Sequence, residues 1–189
     1  RWGEGRAIKI APIFLKDGIA KGGIALSNEN YGLIYGTAGT IAFILGSILS
    51  GYYISHFGLK KTLFSLVCIF NIPFAVYLLL AIFQPSNLWW IGTGIVFEYF
   101  SYGFGFVGIT LFMMQQIAPG KYQMAHYAFA NSLMNLSFMV PGMLSGKLAT
   151  AFGYQTFFII VLLVTLPAII MAIRLPFAHA VEAKKSDSK

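Results

Sequence analysis

Charge is what this sequence lacks most. Asp, Glu, Lys and Arg make up 10% of its 189 residues, and six of them are acidic. Soluble domains carry about 25% charged residues, so this scarcity excludes an ordinary water-covered globule. Cysteine occurs once, at Cys68, which excludes an intramolecular disulfide. Its place inside an apolar run gives it the character of a packing residue. His56, His126 and His179 stand apart from one another and from any cysteine or acidic cluster, so the usual metal-ligand spacings are missing. No Ser, His and Asp arrangement points to hydrolysis. Neither an enzyme nor a metal or other cofactor is expected. The chain opens at Arg1 without an initiator Met or a signal peptide, and the reading is that its numbering begins inside a longer protein.

What is present is apolar. Hydrophobic residues make up 58% of the chain and the mean hydropathy is +0.75. Residues 62–97, 99–120, 122–146 and 148–173 contain no Asp, Glu, Lys or Arg. Each run exceeds the roughly 18 to 20 residues that a membrane-spanning helix needs, so the expected surroundings are a lipid bilayer. The net charge of +7 does not point to nucleic acid. Its cations sit at the ends of apolar runs and in the tail, with no basic stripe on a polar face.

The pattern predicts six helical segments. The first, about Arg6 to Gly18, is amphipathic, carries Lys9 and Pro12, and suits a helix lining a wet interior. A glycine-rich connector, Gly18 to Asn30, offers Ser27, Asn28 and Asn30 as N-cap oxygens for a second segment over Tyr31 to His56. The third covers Thr62 to Phe83. Gln84-Pro85-Ser86-Asn87 is a turn, the fourth covers Leu88 to Ile117, and Pro119-Gly120 breaks the chain. The fifth covers Met124 to Ala151, Gly153 ends it, and the sixth covers Thr156 to Ile173. Residues 1–175 form the six-helix unit, with the first helix expected to be truncated, and 176–189 form a charged tail. His56, Lys60, Lys61, Lys121, Arg174, Lys184, Lys185 and Lys189 follow segments two, four and six, which places those ends and the C-terminus in the cytoplasm. Lys147, near the opposite end of segment five, is an exception. Small residues four apart, Gly36 and Thr40, Gly46 and Ser50, Ser47 and Gly51, Gly142 and Gly146, read as helix-packing contacts.

Two literal motif matches are set aside. Gly103-x-Gly105-x-x-Gly108 has the spacing of a dinucleotide fingerprint but lies within a spanning run, without the strand that the motif requires. Asn135-Leu136-Ser137 spells a glycosylation sequon at membrane depth, where no transferase reaches.

Polar residues at membrane depth carry more weight, because an ionisable group there is costly and faces a protein interior or a watery path. Counting from Leu88 places Glu98 about 15 Å deep, near the middle of a ~30 Å hydrocarbon core. The same count from Gly18 places Lys9 about 14 Å deep. Opposite charges at matching depth would pair if segments one and four were neighbours. Asn71, Asn131 and Asn135 also fall near mid-membrane, and Asn131 and Asn135 share a helical face with Tyr127. Tyr102 lies one turn from Glu98. For the asparagines, interhelical hydrogen bonding and a cavity role both stand.

At the end of segment two, Gly51-Tyr-Tyr-Ile-Ser55-His56-Phe-Gly58-Leu-Lys60-Lys61 resembles the loop signature of the major facilitator superfamily. It has Ser55 where the family has Asp, which puts that Asp's gating role in doubt here, while the glycines and the Lys pair remain. Arg1-Trp-Gly-Glu4-Gly-Arg6, Ala11-Pro12-Ile-Phe-Leu15 and Tyr31-Gly-Leu-Ile-Tyr-Gly36 look like the second half of AmpG-type muropeptide permeases. Ser132-Leu-Met, Pro141-Gly-x-x-Ser-Gly146 and Gly153-Tyr-x-x-Phe157-Phe158 extend the likeness. The resemblance implies an all-α membrane protein, a six-helix bundle that is the C-terminal half of a twelve-helix transporter. Its partners would be the N-terminal half, a small-molecule solute and a coupling proton, in a bacterial inner membrane. Helices one and four would line a central site. Glu98 would then couple protons or bind a cationic group, Arg6 and Lys9 would meet carboxylates, and Tyr102, Asn131 and Asn135 would hydrogen-bond the solute. Sugars, peptides and acyl-coenzyme A remain alternative solutes, and a membrane enzyme acting on a lipid-linked substrate is the rival class.

Overall fold

In the computed structural model, residues 2–118 and 120–174 are described. Arg1, Pro119 and residues 175–189, which include the expected 176–189 tail with His179, Lys184, Lys185 and Lys189, lie outside them. The described residues are mainly helical, with no strand among them. Helix α1 is Trp2–Lys16. Helix α2 covers Asn28–Phe57, α3 Leu59–Phe83 and α4 Leu88–Ile117, and each is long and apolar enough to cross a membrane. So is the continuous stretch Gln123–Ile173, which Gly153 breaks with φ 74° and ψ 164°. A residue with a side chain is strained at that positive φ. The break gives α5 over 123–152 and α6 over 154–173, and six helical segments result, as the charge-free runs suggest.

Local chemistry sets the boundaries. Ser27 caps α2, its Oγ accepting from the Asn30 N–H at 3.2 Å. Asn87 caps α4, its Oδ1 accepting from the Trp89 N–H at 2.9 Å. Gly58, at φ 79°, turns the chain from α2 into α3. The third segment consists of two helical pieces, Leu59–Asn71 and Pro73–Phe83, joined at Ile72. Pro73 has no N–H to continue the ladder, which accounts for the interruption. Helix α2 runs through a π-helical stretch at Gly32–Ala38, and α4 ends in another at Met113–Ile117.

Glycine sets how closely the helices pack. A Cβ on Gly46 of α2 would sit 2.2 Å from the Phe100 carbonyl oxygen of α4, and one on Gly103 of α4 would sit 2.2 Å from that of Phe43. The two backbones therefore touch reciprocally, and Ser47 adds a bond to the Gly103 carbonyl at 3.3 Å. On α1, Gly5 meets the Phe138 carbonyl of α5 in the same way, and Gly3 faces Thr165 and Val161 of α6. Gly36, Gly51 and Gly146, expected at packing contacts, face open space instead. Their spacing matches the packing pattern, but their faces point outward in this unit.

The main core gathers α1, α3, α4 and α6 around Phe14, Phe74, Tyr77, Ile95, Phe157 and Phe158. At the Gly153 end, Tyr154 donates to the Asp17 carboxylate and Gln155 Nε2 donates to the Ala81 carbonyl at 3.1 Å. These bonds tie α6 to the ends of α1 and α3. At the Gly58 end, Ile54, Leu59, Leu63 and Leu66 form a second cluster, and Tyr53 and Ser65 hydroxyls meet at 3.2 Å. Ile41, Ile44, Ile48 and Leu49 on α2, and Leu133, Leu136, Met139 and Met143 on α5, are exposed. So large an apolar exterior fits lipid or a further protein surface.

Candidate functional site

Glu98 is buried, 5% exposed, and its carboxylate accepts a hydrogen bond from the Tyr77 hydroxyl at 2.9 Å. Residue 77 follows the Pro73 restart of α3, which turns its phenol towards α4. Tyr77 is itself held by stacking on Phe158 of α6, with ring centroids 5.5 Å apart. Glu4 of α1, 1% exposed, lies within electrostatic reach of Glu98. Tyr35 and Tyr99, in edge-to-face contact at 5.0 Å, also lie within electrostatic reach of Glu98.

Lys9 is not part of this group. It is exposed, and its side chain runs along α5, where a Cβ on Gly142 would meet Lys9 Cγ at 3.2 Å. The pairing of Lys9 with Glu98 suggested by equal depth is thus replaced by two separate arrangements. Depth fixes one coordinate only; the packing of α1 against α5 and α6 turns Lys9 to one side and Glu4 to the other. Seven residues separate Asn135 from Gly142, and four separate Asn131 from Asn135, so these positions share the α5 face that meets Lys9. Asn135 is exposed and its amide donates to the Asn131 carbonyl of its own helix at 2.9 Å. Asn131 and Arg6 are half-buried. Tyr102 stacks on Phe70 at 5.2 Å and approaches Phe43 at 5.8 Å, so it belongs to an aromatic seam between α2 and α3.

The loop residues stay together. Gly51 is half-buried, Ser55, His56, Gly58, Lys60 and Lys61 are exposed, and the His56 ring lies 4.7 Å from that of Phe57. Thr62 Oγ1 donates to the Gly58 carbonyl at 3.0 Å and secures the turn before α3. An exposed, doubly basic turn between two spanning helices can meet another charged surface or lipid headgroups.

The residue types at the buried centre that sequence reasoning passed over are Glu4 and Tyr77. Glu4 stands between two glycines as the acid of a helix whose other charges, Arg6, Lys9 and Lys16, are basic, and Tyr77 is a phenol inside the apolar stretch 72–83. Either is a polar group at membrane depth, which was the available signal.

A model of the Major Facilitator Superfamily matches residues 10–189, nearly the whole chain. The chain belongs to that superfamily. It is an all-α membrane protein whose six helices make up half of the family's twelve-helix fold, and the family is one of transporters, not enzymes. Among curated proteins it is similar to "Putative transporter AmpG 1" of Rickettsia felis, 25% identical over 142 residues, covering 72% of this chain and 31% of that protein. The protein of the same name from Rickettsia conorii is 23% identical over 143 residues, covering 72% and 32%. An uncharacterized protein of Haemophilus influenzae is 23% identical over 176 residues, covering 90% and 40%. The chain thus spans about a third of the length of the curated relatives it matches.

Proposed function

We propose that this chain is the C-terminal half of a proton-coupled permease for muropeptides, working by alternating access in a bacterial inner membrane. The observation that carries the reading is the buried Glu98 carboxylate bonded to Tyr77, an ionisable group at membrane depth in a chain of the Major Facilitator Superfamily. The similarity to relatives named AmpG transporters supports the solute class. Lys9, with Arg6 beside it, supplies positive charge for solute carboxylates. Asn131 and Asn135 extend the same stripe with amides for sugar hydroxyls and peptide groups. Tyr102 lies apart from this stripe, in the seam between α2 and α3, and its half-exposed ring offers a phenol for hydrogen bonding there. The N-terminal half completes the site, the Gly58 turn with Lys60 and Lys61 faces the cytoplasm, and the C-terminus lies on that side too.

The test is uptake of labelled muropeptide by vesicles holding the natural protein in which this chain occurs, with and without an imposed proton gradient. Gradient-dependent uptake is expected, and Glu98→Gln should lower it at least tenfold in a protein that still folds. Uptake that ignores the gradient, or survives the Glu98 change, sinks the coupling role. Absence of muropeptide uptake turns the search to sugars, peptides and acyl-coenzyme A.

A further inference from the structure

We propose that the crevice between α1 and α5 ends, away from the Gly58 turn, in a second solute subsite that takes a zwitterionic peptide end, its ammonium on Asp17 and its carboxylate on Lys21. The inference rests on the transporter reading above and adds an entry subsite to the Lys9 stripe.

A cavity of about 390 Å³ opens at the Gly153 end of α1 and α5, within the range of about 300 to 1,000 Å³ usual for small-ligand pockets. Asp17 and Lys21 are the charged residues that line it, with Thr150 and Tyr154 as polar neighbours and Ile13 as an apolar wall. The cavity continues the open stripe. Lys9, Ile13 and Asp17 follow one another at four-residue spacing, and the Asp17 N–H still donates to the Ile13 carbonyl at 2.8 Å, so the helical register holds to Asp17. Gly142, Gly146 and Thr150 repeat that spacing on α5, where Gly142 meets Lys9 and the other two line the cavity. The path from Lys9 to Asp17 is about 12 Å long. Gly146 leaves the wall bare, since a Cβ there would meet nothing within 4 Å.

Asp17 is fixed in place by its neighbours. Its carbonyl accepts the Ala25 N–H at 2.8 Å, Gly23 packs so closely that a Cβ would sit 2.2 Å from that oxygen, and the carboxylate accepts the Tyr154 hydroxyl. The Tyr154 ring is held in turn by Phe14, at a centroid distance of 5.1 Å. A carboxylate has about four acceptor sites, so the phenol leaves Asp17 able to accept an ammonium. Lys21 ends the short turn Ile19–Lys21 and is exposed. Both side chains line one cavity, yet Asp17 and Lys21 form no ion pair with each other. An acid and a base held apart in this way fit a ligand that carries both charges, because a singly charged ligand is attracted by one and repelled by the other. Thr150 Oγ1 donates to a carbonyl of its own helix at 3.0 Å, which leaves its oxygen as an acceptor for a peptide N–H or an ammonium.

The experiment measures equilibrium binding of labelled alanyl-alanine to the purified natural protein in which this chain occurs, beside N-acetyl-alanyl-alanine and alanyl-alanine amide. The zwitterion should bind at least about tenfold tighter than either capped form. Asp17→Asn should erase the penalty for acetylation, and Lys21→Gln should erase the penalty for amidation. Gly146→Leu, whose side chain enters open space from a helix, should fill the cavity and weaken binding by a similar factor. Absence of dipeptide binding, or a penalty that outlives the residue assigned to it, overturns the proposal. If Asp17→Asn does not fold, Lys21→Gln and Gly146→Leu decide, and unchanged binding in both overturns it. Competition of alanyl-alanine with muropeptide uptake, lost in Lys21→Gln, identifies the peptide arm of a larger solute as the occupant, whereas binding without competition identifies a free peptide. Dipeptide binding in a protein that transports no muropeptide removes the muropeptide reading and leaves this subsite standing. Muropeptide uptake without the two penalties sinks the subsite alone.

Discussion

The two sides of α1 are built in opposite ways. Towards α5, Lys9, Asn131 and Asn135 form an open stripe in which a long cationic side chain is exposed and an amide is satisfied by its own helix. Towards α3, α4 and α6, Glu4, Glu98 and Tyr77 are enclosed, and the Glu98 carboxylate takes a phenolic hydrogen bond. An open stripe of adaptable polar groups suits a bulky solute, since those groups exchange one partner for another at little cost. A buried carboxylate held by a phenol suits a proton instead. Helix α1 borders both, so the comparison separates affinity for solute from response to the proton gradient.

The largest effect should come from a change that breaks both sides at once. Gly5→Leu places a side chain where even a Cβ lies 2.2 Å from the Phe138 carbonyl, so α1 must move off α5. Overpacking of this kind costs about 1 to 3 kcal/mol. The expected outcome is a lower melting temperature with loss of both solute binding and coupling. Normal uptake by this variant would mean that α1 does not join the two regions.

Lys9→Gln should strike the open side alone. A charge-assisted hydrogen bond contributes about 1.5 to 3 kcal/mol, so KM for an anionic solute should rise at least about tenfold, the factor that 1.4 kcal/mol represents. The dependence on the driving gradient should persist. If the Lys9 change abolished the gradient response and left KM alone, the assignment of the two sides would be reversed.

How far the sequence reveals this arrangement depends on which coordinate is asked for. Charge-free runs mark the spans, because lipid tolerates so few ions, and Ser27, Asn87, Gly58 and Gly153 mark ends through their own cap or turn chemistry. Depth is legible as well, since rise per residue is constant. Azimuth is not. Which way α1 turns is decided by Gly5 on Phe138 and Gly3 on Thr165, contacts between positions more than a hundred residues apart. Lys9 and Glu98 therefore agree in depth and still face different neighbours. Tyr77 is hidden for the same reason, as its role depends on Phe158 stacking from α6.

On the closed side, Tyr77→Phe removes one hydroxyl and keeps the ring that stacks on Phe158. Accumulation driven by the gradient should fall several-fold, less than in Glu98→Gln, while KM for the solute stays within about twofold, under 0.5 kcal/mol. A change in KM without a change in accumulation would place Tyr77 with the solute instead.

The smallest effect is expected at Asn135→Ala. Its amide already bonds the Asn131 carbonyl at 2.9 Å, so a solute gains only the difference between that bond and a new one. Polar contacts between membrane helices average about 0.6 kcal/mol, and a solute contact of that size corresponds to about a threefold rise in KM. Measuring KM for Asn135→Ala in both the parent and the Lys9→Gln background tests whether the two residues act on one solute. Coupled effects support a single stripe running from α5 to α1. Strictly additive effects would divide that stripe into two independent contacts, and the open side would then lose its unity while the closed side kept its own.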